Sequence, residues 1–332
     1  YLDQKQAHNY YPTHLWENDK ISPLNNEYFL VHTPIEKGSN QNKFNQFKGK
    51  DYAPDKMVEK AVNFIETSSI NTPFFLYYPS PIPHVSLQIP DSLINSYKGV
   101  FKETPYYGDK GYTPHQYPKS AYAAMITHLD SEVGKIWDAV KAKGEEENTL
   151  ILFSSDNGPT FAGGVDATFF NSTNNLRGLK MDVYEGGIRI PFIAYWKNKI
   201  KSGQHSDLIS GHWDMFNTFS ELSGQKELSS DGISLVPELL GKEGQKEHEF
   251  IYFEYPEKRG QIAIRIGNWK GVKVDVKTNF TSKWELYNLK NDIQETNNVA
   301  NKYPEILKKL DSIQKLAHRH PHIREWEFVD PK

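Results

Sequence analysis

The chain has 332 residues, a length that fits two domains at roughly 150 residues each. Its 39 Lys and Arg against 42 Asp and Glu leave a formal charge of −3, so composition gives no electrostatic case for nucleic acid or an acidic membrane surface as a partner. Cysteine is absent, which excludes a disulfide framework, zinc–thiolate sites and a cysteine nucleophile within these residues, and no apolar run reaches the roughly 18 residues of a membrane span.

Tyr1 to Asp19 is dense in aromatic and polar groups without a helical or alternating period, and is expected to be a long structured loop. From Pro54 to Glu66 the residues Met57, Val58, Ala61, Val62 and Ile65 share one helical face, with the proline in the first turn. Pro73-Phe-Phe-Leu-Tyr-Tyr78 reads as a buried strand that feeds a stiff loop of Pro79, Pro81 and Pro83, and this loop carries His84. Helix is expected again from about Ala121 to Lys143, ended by Gly144. Thr149 to Ser154 and Ile188 to Trp196 are two further apolar strands. Apolar strands alternating with amphipathic helices predict a parallel sheet covered on both faces.

Beyond about residue 245 the pattern changes. Phe250–Phe253, Ile262–Ile266, Trp269–Val274 and Trp284–Tyr287 read as short antiparallel strands, followed by one helix over Pro304 to His318. This predicts an α/β domain over residues 1–245 and a small α+β subdomain over 246–332.

Ligand sites in open α/β sheets lie beyond the carboxyl ends of the strands. Two such ends carry polar groups, His84 after one strand and Asp156-Asn157 after another. Asp156 and Asn157 offer hard oxygen ligands suited to Ca²⁺ or Mg²⁺, although Ser-Asp-Asn-Gly is also an ordinary turn sequence. Arg177, Lys180 and Arg189 are spaced over a glycine-containing loop, an arrangement that suits an anionic ester, unless Glu185 and Arg189 simply pair with each other. His8, Asn9 and His14 sit in the aromatic N-terminal loop and could line a sugar cleft. Asp214 reads as the N-cap of a helix over Met215–Leu222, with His212 facing the cleft. His318, His320 and His322 alternate like metal ligands but read more simply as a solvated basic tail.

Taken together, the segments PFFLYYPSPIPHVSLQIP, YAAMITHLDSEVG, TLILFSSDNGPT, LRGLKMDVYEGGIRIPFIAYW, DGISLVPELLG and GQIAIRIGNWKGVKV resemble, in order, the type I sulfatases. These are the formylglycine-dependent, arylsulfatase-like enzymes of the alkaline phosphatase superfamily. The resemblance runs from about Tyr1 to Val299. It implies a mixed sheet flanked by helices, incomplete in this chain, with a small C-terminal antiparallel subdomain. It also implies hydrolysis of sulfate esters, on a sulfated carbohydrate, by a periplasmic or secreted enzyme. His84 matches the family histidine that helps protonate the leaving alcohol, and Lys180 the lysine that holds a sulfate oxygen. Asp156 and Asn157 match two calcium ligands, Arg177, His212, His8 and Asn9 are candidates for substrate contact, and the Glu185 to Arg189 block is architectural.

The chain also departs from the family. It has no Cys and no Ser two positions before any of its 19 prolines, so the C/S-x-P-S-R motif that becomes formylglycine is missing. It has no Asp-Asp pair and no Lys-x-His ahead of His84. The expectation is therefore a C-terminal portion whose partner is an N-terminal portion bearing the nucleophile, inactive by itself. The competing expectations are a phosphatase, phosphodiesterase or phosphonate hydrolase of the same superfamily, or an inactive carbohydrate-binding fragment.

Overall fold

The computed structural model describes residues 6–225, 229–279 and 281–330. The chain divides into two compact units. One contains residues 1–149 and 160–170, and the other contains 150–159 and 171–332.

In the first unit, β1 (His14–Glu17) and β2 (Lys20–Pro23) form a hairpin with Glu17 opposite Lys20. Its turn uses Asn18 at φ 56°, a left-handed conformation that Asn adopts more readily than most residues. Within the structured loop expected over Tyr1–Asp19, His14–Glu17 is therefore a strand, and residues 1–5 lie outside the described residues. The hairpin is legible only through its turn, because the strands are too short to alternate visibly. After α1 (Gln41–Asn45), α2 (Ala53–Thr67) begins with Pro54 in its first turn and buries Val58, Ala61 and Ile65, as the periodicity predicts. Short α3 (Asp91–Ile94) precedes α4 (Pro118–Ala142), after which Gly144 takes φ 78° and its N–H donates to the Lys141 carbonyl.

The run Pro73–Tyr78 joins no ladder among the described residues. Phe74 and Leu76 pack with Ile65, Val62, Ile136 and Trp137 of α2 and α4, while Phe75 and Tyr77 between them stay exposed. The segment alternates like a strand but belongs to no sheet among the described residues, because an apolar run encodes burial and not the neighbour that pairs with it.

In the second unit, β3 (Ile151–Ser154) pairs with β4 (Phe192–Tyr195), Ile151 opposite Tyr195 and Ser154 opposite Phe192. The pair is antiparallel, which corrects the parallel sheet expected here, since an apolar pattern carries no direction. Between them lies α5 (Glu185–Ile188). Next comes α6 (Asp214–Leu222), whose N-cap is Trp213 and not Asp214. The fully buried Asp214 accepts from the backbone N–H of Gly211 (2.7 Å) and Ile233 (2.9 Å), and meets His248 Nε2 at 2.9 Å. Its carboxylate ties three segments together, and none of these bonds caps the helix.

After α7 (Val236–Leu239) comes the expected antiparallel sheet, β5 (Ile251–Tyr255), β6 (Gln261–Ile266), β7 (Trp269–Lys273) and β8 (Glu285–Asn288), paired in that order. Its faces follow the period of two. Ile262, Ile264 and Leu286 pack against Leu310 and Ile313 of α8 (Pro304–Ala317). Ala263, Val272 and Tyr287 pack on the other face against Val183 and Tyr184. No helix among the described residues is long and apolar enough to cross a membrane.

Candidate functional site

In the first unit the candidate is the loop that bears His84. Ile82, Val85, Leu87 and Ile89 around it are buried in one core with Tyr10, Tyr11 and Tyr52. Tyr10, fully buried, directs its hydroxyl at the carbonyls of Pro81 (2.8 Å) and His84 (2.6 Å). Its backbone N–H donates to Gln88 Oε1 at 2.9 Å, and Gln88 Nε2 in turn donates to the Phe47 carbonyl at 2.8 Å. Neutral hydrogen bonds and apolar anchors thus hold the backbone on both sides of His84.

The His84 ring has a defined tautomer. Nδ1 lies 2.5 Å from the Val85 carbonyl, which can only accept, so the proton of this hydrogen bond belongs to Nδ1. His8 stacks on this ring with centroids 5.2 Å apart and planes 6° from parallel, and Tyr112 packs edge-on at 6.1 Å. His32 reaches the same cluster, 6.0 Å from His8 and 4.9 Å from Tyr112, and its Nδ1 accepts the Tyr112 N–H at 3.0 Å. The structure therefore brings His8 and His84 together and adds His32 and Tyr112, which no local pattern marks. Asn9 is turned to its own backbone, its Oδ1 accepting from Tyr11 N at 3.0 Å, and His14 packs edge-on against Trp16 in β1.

In the second unit the candidate begins at the carboxyl end of β3. Ser154 Oγ lies 2.9 Å from the Pro191 carbonyl and 3.1 Å from His212 Nε2, which places exposed His212 at that strand end. Asp156 is exposed, and Asn157 donates from Nδ2 to the Gly158 carbonyl at 2.9 Å. Gly158 N–H donates to Gly187 O at 2.8 Å, and Lys180 N–H to Pro159 O at 2.8 Å. These two bonds bring the turn bearing Asp156 and Asn157 into one frame with the loop bearing Lys180. A methyl group on Gly158 would lie 1.9 Å from the Gly186 carbonyl oxygen, so the frame closes only because these positions lack side chains.

That loop is fixed from beneath by charge. Lys270 on β7, 1% exposed, contacts Glu185 Oε1 and Glu295 Oε1, each at 2.9 Å. Glu185 Oε2 accepts from Arg189 Nε at 2.7 Å, and Glu185 N–H donates to Glu295 Oε2 at 2.6 Å. Burial alone would raise the Glu185 carboxyl, but Lys270 and Arg189 outweigh it and hold the group below the usual carboxylate range. Burial wins at Glu295, whose pKa is raised. The pairing of Glu185 with Arg189 is readable from sequence, whereas Lys270 and Glu295 lie too far along the chain for any local pattern to join them to it. The signal for Lys270 was its alternation with buried Val272, which puts both on one face of β7.

Arg177 is turned to the C-terminal sheet. Its guanidinium donates to Tyr287 Oη (2.8 Å), the Glu295 carbonyl (3.0 Å) and Tyr184 Oη (3.0 Å), and stacks 3.8 Å above the Tyr184 ring. These contacts make it a tie between loop and sheet.

Asp156 and Asn157 fit a hard divalent cation in kind, one carboxylate and one amide oxygen from a single turn. A calcium shell takes about six to eight oxygens. Among the described residues, Asp156 belongs to no group of three His, Asp or Glu side chains close enough to share an ion, so these two supply part of a shell.

The fold and the family comparison together place the chain in the alkaline phosphatase superfamily. The sulfatase family profile matches residues 2–225, and the chain belongs to that family. A second profile, N-sulphoglucosamine sulphohydrolase, C-terminal, matches residues 179–321. An N-acetylgalactosamine-6-O-sulfatase of Bacteroides thetaiotaomicron is 28% identical over 286 residues, covering 80% of this chain and 51% of its own length. The solved structure of Ps i-CgsB in complex with k-i-k-neocarrahexaose is similar with a TM-score of 0.66 at 26% identity, covering 90% of this chain and 59% of that one. The structure of BT4656 with its substrate D-glucosamine-2-N,6-O-disulfate shares the fold, with a TM-score of 0.70 at 20% identity over 99% of this chain and 76% of that one. The chain spans about half the length of the curated relatives it matches.

Proposed function

We propose that this chain is part of a hydrolase of sulfate esters on a carbohydrate, acting in the periplasm or outside the cell. The observation that carries the reading is the hydrogen-bonded frame at the end of β3, which puts a lysine and two hard oxygen donors on neighbouring turns. Support for a sugar substrate comes from the relatives, one named as an N-acetylgalactosamine-6-O-sulfatase and another solved in complex with k-i-k-neocarrahexaose.

In this reading Lys180 binds a sulfate oxygen and stabilises the charge that develops as the S–O bond breaks. His84, with Nδ1 committed to the Val85 carbonyl, delivers a proton from Nε2 to the departing alkoxide. Asp156 and Asn157 contribute ligands to calcium, which when bound supplies Lewis-acid polarisation of a sulfate oxygen. The nucleophile is a formylglycine hydrate from polypeptide outside these 332 residues, since they hold no Cys and no Ser-x-Pro. The 332-residue chain by itself is accordingly inactive.

The test uses the complete enzyme and two substrate types. His84→Ala should slow a sulfated sugar, whose alkoxide leaves poorly, far more than nitrophenyl sulfate, whose phenolate leaves without a proton. Equal losses on both would remove the proton-donor role, and faster release of phosphate than of sulfate from matched esters would make the enzyme a phosphatase.

A further inference from the structure

The end of α8 and the segment beyond it carry a group of side chains that the sulfatase reading does not use. His318 closes α8, its N–H donating to the Gln314 carbonyl at 3.0 Å, and its side chain is only 10% exposed. The chain then passes through Arg319, His320 and Pro321 and returns through a short turn at Arg324–Trp326. Phe328, buried in the core between sheet and α8, fixes the point of return and with it Glu327. Glu327 Oε2 consequently lies 3.0 Å from His318 Nε2 and 2.7 Å from His320 Nδ1. Among the described residues, this is the one trio of His, Asp or Glu whose ligand atoms all lie within 4.8 Å of one another.

The outer contacts of these side chains are equally specific. His318 Nδ1 faces Glu254 Oε1 on β5 at 2.7 Å, and Glu254 is itself held by the Tyr252 hydroxyl. Glu327 Oε1 accepts the backbone N–H groups of Val329 (2.9 Å) and Asp330 (3.0 Å), which leaves Oε2 turned to the two imidazoles. A histidine that gives one ring N–H to a carboxylate and presents its other nitrogen inward is the arrangement by which proteins orient metal-binding imidazoles.

We propose that His318 Nε2, His320 Nδ1 and Glu327 Oε2 form a binding site for a zinc-class divalent ion, with Glu254 as the carboxylate that orients His318. Two imidazoles and one carboxylate suit Zn²⁺, which prefers nitrogen ligands, and not calcium, which takes an oxygen shell. Ligands about 2.0–2.1 Å from a tetrahedral ion stand about 3.3 Å apart. The separations of 3.0 and 2.7 Å therefore need to open by about 0.3 and about 0.6 Å, the larger change falling on His320. His320 is 71% exposed and can make that adjustment, and the same exposure leaves the fourth position to water. The bound ion would clasp the segment after α8 to the helix end and, through Glu254, to β5.

Zinc titration of the full-length protein by calorimetry, after chelation and in calcium-containing buffer, tests this together with cobalt substitution. The wild type should take up one zinc that His320→Ala and Glu327→Gln each weaken at least tenfold, and bound cobalt should show the intense visible absorption of a tetrahedral site. Glu254→Gln, which leaves all three ligands in place, should weaken binding by about tenfold to a hundredfold. Thermal unfolding without metal checks the fold of each variant, and exposed His320 is the position least prone to disturb it. Zinc uptake unchanged in His320→Ala, or no zinc uptake by the wild type, would overturn the site. Sulfate release is not the readout, so the result stands apart from the sulfatase assignment.

Discussion

The loop at His84 and the loop at Lys180 each hold one polar side chain on irregular backbone, and they do it by different physics. Around His84 the clamps are neutral. Tyr10 gives its hydroxyl to the loop carbonyls, Gln88 and Tyr52 bond the flanking backbone, and apolar side chains sink on either side. Beneath Lys180 the clamp is ionic, with buried Lys270 between Glu185 and Glu295 and with Arg189 on the outer oxygen. Removing one bond from a neutral clamp leaves no charge unpaired. A buried ionic clamp is coupled, because each charge removed leaves its partner unpaired at low dielectric.

The comparison breaks most visibly at Lys270. Lys270→Ala should destabilise the protein by about 3–5 kcal/mol in denaturant unfolding, since it leaves buried Glu295 without its cation and Glu185 with Arg189 alone. A cost below about 1 kcal/mol would mean that these charges do not hold the loop. At Lys180 the expected effect is on rate alone. Lys180→Ala in the complete enzyme should cut turnover by about two to three orders of magnitude with little change in unfolding, as for other groups that stabilise a developing anion.

On the neutral side, Tyr10→Phe keeps the ring and removes the hydroxyl. It should cost about 1–3 kcal/mol, the range for leaving a buried carbonyl without its donor, and should slow poor leaving groups by letting His84 drift. The smallest effect is one of pH. Glu185 has a folded pKa below its ordinary 4.5, so its contribution is complete above that value and is lost as the pH falls through the lowered one. Hydrogen exchange between pH 5 and 3 should therefore release the Gly186 and Gly187 amides before the His84 amide, whose bond to the Pro81 carbonyl involves no charge. Release in the opposite order would reverse the assignment of ionic and neutral clamps.

Much of this was legible in the linear sequence where the signal is local. The helical faces of α2 and α4, the four short apolar runs after residue 250 and the stop at Gly144 all depend on residues a few positions apart. The motifs around His84, Asp156-Asn157 and Glu185–Arg189 were enough to suggest the family, because their residue types are tied to short backbone shapes. Tertiary structure alone decided the direction of the β3–β4 pair, the packing of Phe74 and Leu76 against α2 and α4, the turning of Arg177 toward the sheet and the meeting of His8, His32, His84 and Tyr112. It also decided that His318 and His320 meet Glu327 and are not simply a solvated tail. The physical reason is common to all of them. Periodicity and turn chemistry act over a few residues, whereas strand pairing, charge burial and side-chain clustering depend on which distant segment folding brings alongside, as with Lys270, which takes its meaning from Glu185, 85 residues away.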